Sequence, residues 1–363
     1  MLKIEKLTEH RDVFDLTVAD NHTFYANDIL VHNCVEIGLP TTPIEHIDEC
    51  DPGEIALCIL SSINAGALKD LSELEHLCDL AVRALDALID YQDYPVNAAL
   101  KTKERRSLGI GFTGLAHYIA KHKVKYSDVK AAQLTHELAE ALQFYCLKAS
   151  AQLAEEFGPN SLHHRTKYSR GILPIDTYKK DIDEAIGNVA LNLDWEWLRQ
   201  RILTVGLRNS TLTAQAPVES SSLITNSTNG IEPPRALLSI KKSKKSVIKQ
   251  LVPQYSTLKN HYTLLWDMPN NEGYFRIVGA IQKFFDQSIS ANWSYNPMNF
   301  ENQEIPMQVV LQDFLTAYKL GHKTAYYSQT FDLKTDDEHE EAKLEDLPVE
   351  ESEEEDDCEA CKL

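Results

Sequence analysis

The chain has 363 residues, and its 36 Lys and Arg against 55 Asp and Glu give a formal net charge of −19. This acidic balance argues against binding to a nucleic-acid backbone, which requires clustered basic residues. No apolar run approaches the ~20 residues of a membrane-spanning helix, and the charged N-terminus lacks the apolar core of a secretory signal. Seven cysteines spread thinly over this length are typical of reduced thiols. We therefore expect a cytoplasmic protein with neither a membrane nor a nucleic acid as its partner.

The first 33 residues differ from the rest of the chain. Val13 to Val18 alternates between apolar and polar residues as a strand does, and Asn and Asp separate the short β-prone runs that follow. This pattern predicts a compact all-β unit that is too small to fold well by itself.

The stretch from Pro40 to Asp332 combines helical and strand patterns. Apolar residues recur at helical spacing in three long segments, which predicts helices at residues 70–90, 127–157 and 307–320. Three short strand-like pieces lie between or after these helices, at residues 106–111, 171–175 and 323–327. The pattern favours a helix-rich α/β architecture.

The last 28 residues carry most of the negative charge. Residues 336–363 contain fifteen Asp or Glu against two Lys, a net charge of −13, and few apolar residues. Such a segment repels itself and cannot bury a core, so we expect a disordered tail.

The junction Val31-His32-Asn33-Cys34 combines side chains that can cut and rejoin a peptide chain. The Asn33 amide can attack its own carbonyl to form a succinimide, with His32 protonating the leaving amide. Cys34 can accept an acyl group as a thioester. An ordinary β-hairpin followed by a chance His-Asn-Cys is the alternative.

The longer context favours the processing chemistry. The segment from Asp12 to Cys34, DVFDLTVADNHTFYANDILVHNC, closely resembles the C-terminal end of an intein. The resemblance implies that residues 1–33 are the C-terminal fragment of a split intein, whose other part a partner chain supplies. By the same resemblance, Asp15 and His22 tune the transfer that His32, Asn33 and Cys34 carry out.

Several further patterns are ambiguous when taken alone. The serine run at 217–222 places small hydroxyl residues at a helix start, which suits an anion, although most serine runs are plain loops. Tyr326-Tyr327 is a pair of adjacent aromatics, usually a core residue beside a surface one. Cys358 and Cys361 form a Cys-x-x-Cys motif, which favours a redox dithiol over a zinc site because no second Cys pair exists. We expect no metal site in this chain.

Two other features have a simple structural interpretation. Gly109, Gly111 and Gly114 fit a dinucleotide fingerprint, but we assign them to close strand–helix packing. Four further cysteines lie in apolar or helical contexts and are predicted to be buried thiols: Cys50, Cys58, Cys78 and Cys146.

From Cys34 onward the chain looks like the large subunit of a class I ribonucleoside-diphosphate reductase. The motifs that carry the resemblance occur in the order of that family: GEIALCILSSINAGAL (53–68), RALDALIDYQDYP (83–95), GILPIDTYKKD (171–181), GLRNSTL (206–212), TNGIEPPR (228–235) and DQSISAN (286–292). The resemblance implies that residues 34–335 form the C-terminal part of a ten-stranded α/β barrel and that residues 336–363 form a flexible redox tail.

The resemblance also implies roles for individual residues at the substrate. Cys34 would be one thiol of the pair that reduces the ribose, while its partner and the radical-bearing cysteine lie upstream in the family. The diphosphate would bind at a loop of five residues: Pro217, Val218, Glu219, Ser220 and Ser221.

The resemblance also implies that two pairs of residues take part in electron delivery. Tyr326 and Tyr327 would relay the radical from a small subunit that carries the metallo-cofactor. Cys358 and Cys361 would re-reduce the active-site disulfide and then be reduced by thioredoxin or glutaredoxin.

The expected function is the reduction of ribonucleoside diphosphates to deoxyribonucleotides for DNA synthesis, after trans-splicing to an N-terminal half. The expected partners are that half, the small subunit and the thiol reductant. Two alternatives stay open: a self-processing chain whose reductase portion is inactive, and a subunit that keeps residues 1–33 and assembles non-covalently.

Overall fold

The computed structural model describes residues 23–26, 29–32, 35–43, 53–242 and 247–331 of the chain. The helices in these residues are α1 (Glu73–Tyr91), α2 (Asn97–Leu100), α3 (Thr102–Arg105), α4 (Leu115–Lys121), α5 (Val129–Phe157), α6 (Pro174–Thr177), α7 (Asp181–Ala185), α8 (Trp195–Val205), α9 (Glu219–Ile224), α10 (Tyr255–Leu258), α11 (Glu272–Gln282) and α12 (Met307–Lys319). The strands are β1 (Thr23–Ala26), β2 (Ile29–His32), β3 (Ile59–Asn64), β4 (Leu108–Thr113), β5 (Leu238–Lys242), β6 (Val247–Leu251), β7 (Trp293–Tyr295) and β8 (Ser328–Thr330).

Parallel extended segments run side by side through the centre of the fold. Strand β3 pairs in parallel with β4, and Ile110 of β4 forms a parallel bridge with Thr213. Gln215 then bridges in parallel to Ile289. Helices connect these segments along the chain, as parallel pairing requires. The described part is therefore a helix-rich α/β structure built around a parallel sheet.

Strand β3 lies at the side of this row. It pairs with β4, and no other strand of the described residues pairs with it. Leu60 on β3 is 42% exposed, whereas every residue of β4 is buried. One edge of β3 is thus open within the described part of the chain.

Helix α5 is the centre of the helical layer. It is 29 residues long and ends at Gly158, whose φ of +83° a residue with a side chain rarely adopts. Most of its residues are buried, and it packs against α1, α8 and α11. Its many alanines allow these neighbours to approach closely.

The three long helices predicted from the sequence are confirmed, with small shifts at their ends. Helix α1 begins at Glu73 and not at Asp70, because the Asp70 carboxylate accepts a hydrogen bond from Ser72 N (2.8 Å) and holds a turn there. Helix α5 begins two residues later than predicted, and α12 ends at Lys319.

The strand predictions have mixed outcomes. Strand β4 confirms the strand predicted at 106–111, with a shift of two residues. The strand predicted at 171–175 is wrong, because Pro174 begins the short helix α6 and Leu173 N donates to the Asp176 carboxylate (2.8 Å). The third prediction is partly confirmed, since Tyr326 and Tyr327 hydrogen-bond to the 291–293 segment but β8 itself begins at Ser328.

The predicted close packing of the glycines is confirmed, but their neighbours are mainly extended segments. A Cβ on Gly109 would lie 2.6 Å from Leu60 Cδ2. A Cβ on Gly111 would lie 2.6 Å from the Ala214 carbonyl oxygen. These glycines therefore allow β4 to lie close to the segments on both sides of it.

Strands β1 and β2 form an antiparallel hairpin, with Thr23 paired to His32. This agrees with the β character predicted for the N-terminal segment. The predicted residues Asp15, His22 and Asn33 lie outside the described residues, as does the tail from residue 332 onward. Among the described helices, none combines the length and apolar character needed to cross a bilayer.

Candidate active site

A cavity of about 730 Å³ lies where several distant parts of the chain meet. Its walls come from Glu36, Leu60, the stretch from Ala216 to Ser222, residues 227–229 and 232–236, Ser239 of β5, the stretch from Gln250 to Pro253, Asn292, Tyr326, Tyr327 and Gln329. The serine loop and the tyrosine pair predicted from the sequence therefore face the same space.

The serine loop enters the cavity at the start of α9. The first intrahelical hydrogen bond of α9 runs from Ser222 N to the Val218 carbonyl, so the amide groups of the preceding turn have no acceptor within the helix. Val218 is buried, whereas Pro217, Ser220 and Ser221 are exposed at the cavity. The loop offers backbone amides and the Ser220 hydroxyl to an anion, whereas the Ser221 hydroxyl donates to the Val218 carbonyl (3.3 Å). Val218 contributes its backbone alone.

The chain leading into this loop is held by a buried carboxylate. Asp286 accepts hydrogen bonds from Leu212 N (2.8 Å), Thr213 N (3.0 Å) and Tyr168 Oη (2.9 Å). Burial raises the pKa of Asp286, and these three donors oppose that rise. Asp286 thus fixes the segment that precedes the serine loop.

Tyr326 and Tyr327 lie together in another part of the cavity wall. Their ring centroids are 4.0 Å apart and the ring planes are inclined by 45°. Tyr326 N donates to the Ala291 carbonyl (3.1 Å), and the Tyr327 carbonyl accepts from Trp293 N (2.8 Å). The backbone of residues 291–293 therefore sets the position of both phenols.

Cys34 lies outside the described residues, but Glu36, two positions later, lines the cavity. Val35 N donates to Ser290 Oγ (3.2 Å), and Ser288 N donates to the Glu36 carbonyl (2.9 Å). Glu36 is only 1% exposed and forms part of the cavity wall. Residues 35–36 thus lie against the segment that precedes Asn292.

Cys58 lies near this place and is only half-buried, so the prediction of a buried thiol is wrong for this residue. Burial and the nearby Glu36 carboxylate raise the pKa of Cys58 to about 12, so the thiol stays protonated at neutral pH. Cys78 and Cys146 are buried, as the sequence predicts, and burial raises the pKa of Cys146 far above its usual value. Cys50, Cys358 and Cys361 lie outside the described residues.

Four cavity residues, and Gln215 directly before the cavity-lining stretch, have no role predicted from the sequence. Gln215 bonds both backbone groups of Phe112, with its Oε1 accepting from the amide (2.8 Å) and its Nε2 donating to the carbonyl (2.9 Å). Glu232 accepts a hydrogen bond of 2.5 Å from Asn292 Nδ2, and Arg235 donates one of 2.8 Å to Gln329 Oε1. Glu232 and Arg235 belong to the motif TNGIEPPR, and Asn292 belongs to DQSISAN. These motifs were therefore the sequence signal for three of the residues.

Comparisons with known proteins agree with this arrangement. The family model described as "Ribonucleotide reductase, barrel domain" matches residues 13–328, beginning within the N-terminal segment and running to β8. The ribonucleoside-diphosphate reductase subunit alpha of Buchnera aphidicola subsp. Schizaphis graminum is 54% identical over 307 residues, which is 84% of this chain and 40% of that protein. The Haemophilus influenzae protein of the same name is 55% identical over 300 residues, 82% of this chain and 39% of that protein.

A more distant relative covers slightly more of the chain. The ribonucleoside-diphosphate reductase subunit alpha of enterobacteria phage T4 is 40% identical over 334 residues, which is 91% of this chain and 42% of that protein. The chain thus spans about two fifths of the length of the curated relatives that it matches.

Proposed function

The chain belongs to the ribonucleotide reductase barrel-domain family, and from this premise we propose that it is the C-terminal half of the catalytic barrel of a class I ribonucleoside-diphosphate reductase large subunit. The complete barrel has ten strands, and the parallel row around β3 and β4 is the part that this chain supplies. An N-terminal half brings the remaining strands, the second active-site thiol and the radical-bearing cysteine.

The proposed reaction replaces the 2′-hydroxyl of a ribonucleoside diphosphate by hydrogen. Two thiols lose two electrons and two protons, one disulfide forms, and the hydroxyl leaves as water. Cys34 is one of these thiols. The observation that carries the proposal is the single cavity shared by the residues after Cys34, the serine loop and the tyrosine pair.

The diphosphate binds at Pro217, Val218, Glu219, Ser220 and Ser221. Amide and hydroxyl donors at the start of α9 support this assignment, because they bind an anion without requiring a basic side chain. The nucleoside then extends across the cavity toward the tyrosine wall.

Tyr326 and Tyr327 relay the radical that a metallo-cofactor in the small subunit generates. A phenol can lose an electron and a proton together, and a centroid separation of 4.0 Å makes the step between the two rings short. The Cys358–Cys361 pair of the acidic tail then re-reduces the active-site disulfide, and thioredoxin or glutaredoxin reduces the tail in turn.

Residues 1–33 join the two halves by protein trans-splicing in the cytoplasm. Asn33 cyclises, His32 assists, Asp15 and His22 tune the transfer, and Cys34 accepts the acyl group. The support is the sequence pattern from Asp12 to Cys34 together with the β1–β2 hairpin that precedes the junction.

Mass spectrometry after mixing the chain with its N-terminal half tests this proposal. The expected product is one polypeptide that reads from the partner directly into Cys34 and reduces ribonucleoside diphosphates once the small subunit and a dithiol are added. An active complex that retains residues 1–33 would show non-covalent assembly and remove the splicing step. A ligated product without reductase activity would identify a self-processing chain with an inactive reductase portion.

A further inference from the structure

Glu232 is a titratable residue at the active-site cavity to which the proposed reaction gives no role. It lies at the end of the turn closed by the hydrogen bond from Glu232 N to the Asn229 carbonyl (3.2 Å). Its side chain lines the main cavity on one side and a second, much smaller pocket on the other. It is therefore in contact with both spaces.

Asn292 connects this carboxylate to the tyrosine wall. Its Nδ2 donates to Glu232 Oε1 at 2.5 Å, which is short for a hydrogen bond from an amide to a carboxylate. Asn292 lies between Ala291 and Trp293, whose backbone groups hold Tyr326 and Tyr327. The Asn292 side chain therefore projects from the segment whose backbone hydrogen-bonds to that of Tyr326 and Tyr327.

The small pocket behind this pair has a volume of about 10 Å³, the size that one water molecule requires. Asn292 Oδ1 and Trp266 Nε1 are buried there without a hydrogen-bond partner in the described part of the chain. A buried polar atom needs a partner, and a single bridging water can provide it. The side of Asn292 that faces away from Glu232 is thus polar and suited to a bound water.

The charges around Glu232 make its protonation sensitive to conditions near neutrality. Burial raises the pKa of Glu232 to about 6, with the Glu219 charge adding to the rise and the Arg235 charge and the Asn292 hydrogen bond opposing it. The phenols of Tyr126 and Tyr274 also lie within electrostatic range of this carboxylate. Protonation removes the negative charge that Asn292 Nδ2 faces and weakens that hydrogen bond.

We propose that Glu232 is a positioning residue for the Tyr326–Tyr327 pair, which it controls through Asn292 and according to its own charge. The expected effect on radical transfer and turnover rests on the proposed function. The expected effect on the position of the two phenols rests on the contacts of Glu232 and Asn292 alone.

The test uses the full chain with Tyr327 replaced by 3-fluorotyrosine and follows its ¹⁹F resonance between about pH 5 and 7. We expect one titration step with a midpoint near the Glu232 pKa of about 6. Glu232→Gln keeps the shape and an acceptor for Asn292 but cannot titrate, so the step should disappear. Asn292→Ala should reduce its amplitude severalfold because the connection is cut.

The matched control is Asp267→Asn. Asp267 is an exposed carboxylate in the segment next to Pro234, since Leu265 N bonds the Pro234 carbonyl. This variant should keep the full step. The inference is overturned if the wild-type chain shows no step in this range, or if the step survives in Glu232→Gln. Thermal unfolding of each variant confirms that it is folded.

Turnover of the assembled enzyme provides a second, separable measurement. Asn292→Ala should lower kcat on the order of tenfold or more with a small change in KM, because misplaced reacting groups slow the reaction more than they weaken binding. If the wild-type assembly reduces no nucleotide, the proposed function fails, while the ¹⁹F result still decides the role of Glu232.

Discussion

The Ser290 hydroxyl donates a hydrogen bond of 2.5 Å to the Glu36 carboxylate, which joins two residues that are 254 positions apart in the sequence. The same oxygen accepts from Val35 N at 3.2 Å. One buried side chain thus fixes both residues that follow Cys34. The position of residues 35–36 therefore depends on a serine that lies far along the chain.

Ser290→Ala should lower the free energy of unfolding by about 1–3 kcal/mol, because it leaves a buried carboxylate oxygen without its donor. The other oxygen, Glu36 Oε1, already has no partner within the described residues. Urea unfolding monitored by circular dichroism measures the change. Ser328→Ala, at an exposed serine in β8, is the control and should change stability by less than about 0.5 kcal/mol. Equal stability of the two variants would contradict the role of Ser290.

The long helices and the site motifs were predictable from the sequence, but the contacts between them were not. Apolar spacing locates α1 and α5 because each of these helices buries one face or more. Helix α12 has the same spacing, although Ala317 is its one buried residue. The bond between Glu36 and Ser290 has no local pattern, since it exists only after the chain has brought distant segments together. The false strand at 171–175 has a local cause, because its apolar residues suit either structure and the helix start at Pro174 decided the outcome.

Gly111→Ala should destabilise the fold by about 1–3 kcal/mol or more, since the added methyl group overlaps atoms that cannot move away easily. The new Cβ would lie 2.6 Å from the Ala214 carbonyl oxygen and 2.8 Å from Gln215 Oε1. Thermal unfolding measures the effect. Gly38→Ala is the matched control, because its Cβ would meet its nearest neighbour at 3.7 Å. A Gly111→Ala protein as stable as the control would show that β4 can move away from its neighbours.

Tyr326→Phe and Tyr327→Phe should each lower the rate of deoxynucleotide formation at least about 100-fold in the assembled enzyme, because phenylalanine has no O–H proton to release. Substrate affinity should stay near the wild-type value, since the proposed diphosphate site is the serine loop. Tyr91→Phe, at a tyrosine that is 88% exposed, should have no effect. Normal turnover in either site variant would exclude that tyrosine from the relay.

Asn33→Ala should stop release of the N-terminal fragment, because alanine has no side-chain amide to form the succinimide. We expect the partner's acyl group to reach Cys34 and remain there as a branched thioester, which mass spectrometry identifies. Asn27→Ala, in the same segment, is the control and should splice normally. Ligated product at the wild-type yield from Asn33→Ala would rule out the proposed cyclisation.

The raised pKa of Glu232 predicts how stability depends on pH. A carboxyl whose pKa is higher in the folded state, about 6 against an ordinary 4.5, binds its proton more tightly when the protein is folded. Its contribution is therefore fully present below about pH 4.5 and is lost as the pH rises through about 6. In urea unfolding, the wild type should lose free energy of unfolding relative to Glu232→Gln as the pH rises from about 4.5 through about 6. The difference between the two proteins should then stay constant at higher pH. A difference independent of pH would mean that the carboxyl titrates normally.

The open edge of β3 affects how the isolated chain behaves in solution. Among the described residues no strand pairs with this edge, so its amide and carbonyl groups can bond an extended peptide, including the same edge of another copy, and the exposed Leu60 favours such contacts. Self-association by this route increases with protein concentration and competes directly with productive assembly. We therefore expect the chain to remain monomeric only when dilute, and co-expression with the proposed N-terminal half to protect it from aggregation.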